Sequence, residues 1–175
     1  MSKNSVETQV ISENGSIVEE RFVELKIRPS KSIGLILLPH CFFTATSLDE
    51  LVYENTTLDV KALFRGSQIE LSLIESESGK LPYVENRDAH WIGPTIFISA
   101  LWWSQNPEAV NLALNVLASY IYALFQGTRD QGESKTVSLT IVVEDPTGKT
   151  IKLDYKGTPS GFPPMLEAVK KNLMK

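Results

Sequence analysis

Two stretches near the C-terminus alternate apolar and polar residues, and Asp145-Pro146-Thr147-Gly148 separates them. Val137, Leu139, Ile141 and Val143 share one side of the first, with Ser138 and Thr140 on the other. Ile151, Leu153 and Tyr155 repeat the pattern against Lys152 and Asp154. A period of two predicts half-buried strands. The four residues between them predict a turn: Asp bonds its own backbone two residues on, Pro presets the first corner, and Gly accepts positive φ. An antiparallel hairpin over about 137–155 follows. After a further turn over 157–164, Met165, Leu166, Val169 and Leu173 give a short closing helix its apolar face.

Upstream lies a charge-free run of 17 residues, 109–125. Asn106 is placed as the N-cap of a long helix over about 107–126, with Pro107 at its first position and Glu108 at the positive end of its dipole. Gly127 would end it in a left-handed cap, and 128–135 reads as a charged loop. Residues 94–101 predict a buried strand that ends on Trp102 and Trp103.

The first half is less regular. Residues 1–16 read as a flexible tail. Val23, Leu25 and Ile27 alternate with Glu24, Lys26 and Arg28, predicting a strand over 17–27 that Pro29 closes. Residues 33–38 form an aliphatic run suited to a strand buried on both faces. Ser47-Leu48-Asp49-Glu50 resembles a capping box, with Ser47 accepting from the Glu50 N–H. Residues 58–64 and 68–74 predict two strands about Arg65-Gly66-Ser67, while 81–89 has no defensible period. The fold class expected is therefore α+β: a mixed or antiparallel sheet with a long buried helix. One domain spans 17–175, β-rich over 17–90.

Composition narrows the possible roles. With 175 residues, 42% apolar and 22% charged, the chain has the make-up of a globular domain. A net charge of −4 gives no overall basic field for a polyanion, so no nucleic-acid partner is expected. Both apolar runs, 13 residues over 91–103 and 17 over 109–125, fall short of the roughly 20 that span a bilayer. Asn111, Asn115 and Ser119 also stripe one face of the long helix. No membrane association and a cytoplasmic location are expected. Cys41 is alone, so no internal disulfide is possible.

Candidate chemistry is sparse. A cysteine nucleophile needs a base within hydrogen-bond reach. His40 adjoins Cys41 but would point away from it in an extended segment, and only His90 and Asp88 remain as possible partners. Cys41 sits in Leu37-Leu38-Pro39-His40-Cys41-Phe42-Phe43, an apolar setting that favours a packed, unreactive thiol. Two histidines 50 residues apart give no metal-ligand spacing. Asp145-Pro146-Thr147-Gly148-Lys149-Thr150 echoes the end of a phosphate loop but lacks the upstream glycine. No catalytic, cofactor or metal residue is assigned. Trp102 and Trp103 are the candidates for an interaction: adjacent strand residues face opposite sides, so at most one packs into a given core layer. The other lies on the surface, under another element or at an interface, although large residues at a strand end more often close a core.

The helix VNLALNVLASYIYALF, the hairpin KTVSLTIVVEDPTGKTIKLDYKG and the closing LEAVKKNL together resemble the effector-associated constant component family of bacterial conflict systems. The resemblance covers roughly residues 93–175. It implies a small non-catalytic α+β module that connects sensing machinery to effectors or associates with partner chains. It transfers no functional residues, and this chain carries no recognisable effector. The expected role is an adaptor or regulatory subunit of a bacterial defence system, acting on an effector or sensor subunit or on further copies of itself. The alternatives are a small-ligand sensor with its pocket beneath the long helix, and an enzyme centred on Cys41 and His90.

Overall fold

The structure, a computed structural model, describes residues 4–12, 16–31, 34–86, 90–126, 136–147 and 149–173. In chain order the elements are β1 (Ser5–Ser12), α1 (Ile17–Leu25), β2 (Ile27–Pro29), β3 (Leu35–Leu38), a 3-10 turn (Leu48–Glu50), β4 (Tyr53–Glu54) and α2 (Thr56–Gly66). There follow β5 (Ser72–Ser76), β6 (Gly79–Lys80), β7 (Tyr83–Val84), β8 (Trp91–Ile98), α3 (Ala100–Gln105) and α4 (Pro107–Gln126). The chain closes with β9 (Val137–Glu144), β10 (Thr150–Gly157), a 3-10 turn (Pro159–Gly161) and α5 (Phe162–Leu173).

This is an α+β fold about one mixed sheet, ordered β1-β10-β9-β8-β3-β5-β2, with β6 pairing beside β5. The hairpin of β9 and β10 pairs Val137 with Gly157 through to Glu144 with Thr150. Asp145 Oδ1 holds its turn by accepting from the Thr147 and Lys149 N–H groups at 2.9 and 3.0 Å. Gly148 lies outside the described residues, as do Gly127, the loop 128–135 and Asp88.

Alternation along the central strands divides the interior in two. Leu35, Leu37, Ile96, Ile98, Leu139, Ile141 and Val143 face α2, α4 and α5, where Val60, Phe64, Leu114, Leu117 and Phe162 meet them. Ile36, Leu38, Phe97 and Val142 face the other way, onto α1 and the loop that carries Phe42, Leu51 and Tyr53. The expected run of buried aliphatics is thus real: Leu35 to Leu38 are all buried. Helix α4 begins at Pro107 and buries one face only. Asn115 and Ser119 are exposed as the stripe predicts, while Asn111 is half-buried.

Several local expectations fail for identifiable reasons. Residues 5–12, read as tail, form β1, which pairs antiparallel with β10 from Ser5–Lys156 to Ser12–Thr150. Residues 17–25 are helical, not a strand. Ser16 caps the helix through Glu19 N, Glu19 and Glu20 favour its first turn, and Lys26 closes it at φ 55°. Val18, Phe22 and Leu25 already carried the helical spacing, and Val23, central to the alternating pattern, points into water. Residues 58–64 likewise belong to α2, which buries Thr57, Val60 and Phe64, so the strand pair expected about Arg65-Gly66-Ser67 does not form.

At 48–50 only a 3-10 turn forms, and the Ser47 side chain caps nothing. Instead the Glu50 carboxylate accepts from Thr46 N and Oγ1, each at 2.8 Å. Those two bonds, the backbone one foremost, hold the Glu50 carboxyl below the usual carboxylate range.

Candidate functional site

Trp102 and Trp103 do not end a strand. Strand β8 stops at Ile98, and Ser99 opens α3 by accepting from Trp102 N at 3.3 Å. Both indoles are half-buried and pack against the first core, while Leu101 between the strand and the indoles is exposed. The close approach is set by Gly34, whose carbonyl accepts from Ser99 N at 2.8 Å. A Cβ on Gly34 would lie 2.1 Å from Trp102 Cβ and 2.4 Å from Ser99 Oγ. Asn106, expected to cap α4, turns its side chain back to the Trp102 carbonyl at 3.4 Å. The tryptophans therefore anchor the turn from strand to helix, each with part of its surface still open to solvent.

Cys41 is half-buried, with Sγ directed at the Glu50 carbonyl at 3.3 Å and the Val52 carbonyl at 4.0 Å. Among the described residues no imidazole hydrogen-bonds to it. His40 Nδ1 lies instead 3.5 Å from Glu54 Oε1, while His90 is exposed at the start of β8. Glu54 is itself buried, and its second oxygen has no partner among the described residues. No group of three or more His, Cys, Asp or Glu among the described residues is arranged to hold a metal ion.

Sequence reasoning assigned nothing to the sheet's own open flank. Opposite the face covered by α2, α4 and α5, the strands β1, β10 and β9 present Ser5, Glu7, Ser138, Thr140, Asp154 and Lys156 to a shallow groove walled by His40. The register lines these residues up: Glu7 opposes Asp154, Asp154 opposes Thr140, and Thr140 opposes Thr95. Two carboxylates directly across a ladder repel unless neighbours offset them. Here Lys152 Nζ sits 2.8 Å from Asp154 Oδ2, Thr140 Oγ1 donates to Asp154 Oδ1 at 2.5 Å, and Gln9 Nε2 donates to Glu7.

Strand β1 borders this flank. It has a sheet neighbour on one side only among the described residues, and Ser5 to Gln9 are all exposed. Its start is fixed by Asn4 Oδ1, which accepts from the Thr158 N–H at 2.8 Å. The signal that could have found this strand was present: Val6, Thr8 and Val10 alternate with Glu7 and Gln9, and the polar termini of the run hid it.

A second depression runs along α2, lined by Ser30, Lys31, Lys61, Arg65, Gln68 and Glu70, and enclosing about 410 Å³. By contrast, the inner face of α4 is packed closed: Val110, Ala113, Leu114, Leu117 and Ile121 are each at most 2% exposed. No helix among the described residues is long and apolar enough to cross a membrane. No family model matches the chain, and neither a curated protein nor a solved structure matches it.

Proposed function

We propose that this protein is an interaction module, an adaptor or regulatory subunit that works by holding a protein partner. The observation that supports this most is the outer edge of β1, which no strand pairs among the described residues. An edge strand offers a row of unpaired N–H and C=O groups, and proteins that do not use such an edge blunt it with Lys, Pro or a covering element. Ser5–Ser12 contains neither Lys nor Pro, Glu7 is its one charge, and its pairing with β10 is regular from Ser5 to Val10, with a register shift only between Val10 and Ser12. A partner segment adding as a further strand would gain main-chain hydrogen bonds along β1, with the polar groove beside it selecting side chains. The C-terminal resemblance adds the setting, a bacterial defence system with an effector or sensor subunit as partner.

The competing enzyme reading would need Cys41 to meet a base, and its sulfur faces two carbonyls instead. The test is to tag the protein in its own cells and isolate it under native conditions. The expected result is a stoichiometric protein partner that is retained by the wild type. Val6→Lys with Thr8→Lys, which puts charges on the edge strand, lowers recovery of that partner by roughly tenfold while the far-ultraviolet spectrum is unchanged. A strictly solitary monomer, or a partner held equally well by the edge variant, overturns the reading.

A further inference from the structure

The groove along α2 is a different kind of surface from the β1 edge, and it concentrates cations in a protein of net charge −4. Lys31, Lys61 and Arg65 line it together with the Ser30 hydroxyl. It continues past Lys61 into a smaller depression containing Lys80, Leu58 and Tyr83. The two share Ser30, Lys61 and Leu73. None of the four cations forms an ion pair among the described residues. Glu70 and Glu75 are the acids present, and Glu75 is already engaged by Arg28 at 3.2 Å.

The ordinary account of Arg65 is that a cation in a helix's last turn offsets the bare carbonyls there. In α2 the Leu63, Phe64 and Arg65 carbonyls are already bonded. Ser67 N donates to Leu63 and Phe64, Gln68 N to Arg65, and Ile69 N to Phe64, at 2.8–3.1 Å. The guanidinium is therefore not needed as a hydrogen-bond donor to those three, and it lines the groove. The opposite wall is fixed too: Lys31 N donates to Ser72 Oγ at 3.0 Å, and Ser30 N to the Leu73 carbonyl at 2.7 Å. At the far end the Tyr83 ring stacks on the buried Tyr53, 5.5 Å between centroids and 27° between planes, and remains 38% exposed.

We propose that this groove binds a phosphorylated small molecule with a flat body, of the nucleotide class. Its phosphates lie among Lys31, Lys61 and Arg65, where charge-assisted hydrogen bonds to phosphate oxygens are strongest. Its flat body reaches toward Leu58 and Tyr83, which offer an apolar and aromatic surface. The volume is in the range of small-molecule pockets and too small for a folded partner. This reading is independent of the β1 edge.

The test is calorimetric titration of the whole chain at low ionic strength with pyrophosphate and, separately, with ADP. Both are expected to bind, more weakly as salt is raised. Lys61→Ala with Arg65→Ala is expected to weaken both by at least roughly tenfold. Lys31→Gln, which lies outside the helix, is expected to weaken both by about threefold and guards against misfolding of the double variant. Tyr83→Ala is expected to weaken ADP about threefold while leaving pyrophosphate within about twofold. Lys26→Ala, an exposed cation outside the groove, is the control and should change neither. Absence of binding for both probes at about 10 mM, or equal binding by wild type and the Lys31 and Lys61/Arg65 variants, overturns the proposal. Equal ADP loss in the control variant does the same.

Discussion

Ile141 and Thr140 are neighbours in β9, yet the two faces they look onto are built differently. Ile141 enters the core closed by α4 and α5 and is 1% exposed. Thr140 enters the open groove and spends its hydroxyl on Asp154. The covered face draws its stability from apolar area removed from water, whereas the open flank is held by side-chain polar contacts that water can replace. The first face supports the fold, and the open flank of the second lies beside β1, whose outer edge no strand pairs among the described residues.

The contrast breaks most visibly under truncation. Ile141→Ala should cost about 2–5 kcal/mol in urea unfolding, through lost burial and a residual cavity. Thr140→Val, one residue away, should cost less than about 1 kcal/mol, since it exchanges one partly exposed hydrogen bond. Equal costs would mean that the open flank is part of the core.

Where the second face is covered, hydrogen bonds hold the cover down. The buried Tyr53 hydroxyl donates to the Leu37 carbonyl at 2.6 Å and accepts from Ile74 N at 3.0 Å, bridging β3 and β5. Burial pushes its phenol pKa well up, so it remains a donor throughout the ordinary pH range. Tyr53→Phe strands both backbone groups and should cost about 1–3 kcal/mol. Arg21 clamps the same cover, donating to the Phe42 and Ala45 carbonyls at 2.8 and 2.6 Å. Arg21→Ala should therefore loosen residues 41–45 and speed thiol labelling of Cys41 by several-fold, on the order of 1 kcal/mol of local opening.

The smallest effect belongs to the hairpin turn. The Thr147 hydroxyl, and to a lesser degree the Lys149 and Thr147 backbone N–H groups, hold the Asp145 carboxyl below the usual carboxylate range. A carboxyl depressed on folding contributes stability that is complete above its unfolded value and is lost as pH falls through the folded one. Asp145→Asn should thus lower stability slightly at neutral pH, where the contribution is complete, and converge with the wild type as pH falls below about 4, flattening the acid limb of the profile. A residue-resolved titration by NMR checks the sign directly.

How legible these regions were in the sequence follows the same physics. The hairpin, α4 and α5 were readable because each segment's hydrophobic period agrees with its final environment, and Asp145 holds the hairpin turn as its residue type suggests. Residues 17–25 and 56–66 were not, because short runs such as Val23-Leu25-Ile27 and Leu58–Phe64 fit both periods. What decided them was tertiary: Val18 and Leu25 find the second core, and Val60 and Phe64 the first. The candidate site was least legible. Trp102 and Trp103 are conspicuous by residue type, but the turn that Gly34 and Ser99 impose on them is not written in their own segment. The polar row of Glu7, Asp154, Thr140 and Thr95 exists only through cross-strand register between segments far apart in the chain.

Amide hydrogen exchange across Ser5–Ser12, in the isolated protein and in its native complex, tests the interaction reading most directly. In an antiparallel edge strand every second N–H points away from its neighbour. Alone, those alternate amides of β1 should exchange quickly while the ones bonded to β10 are protected. In the complex the fast set should become protected as well. Unchanged exchange along β1 in a complex that otherwise forms would place the partner elsewhere and contradict the account.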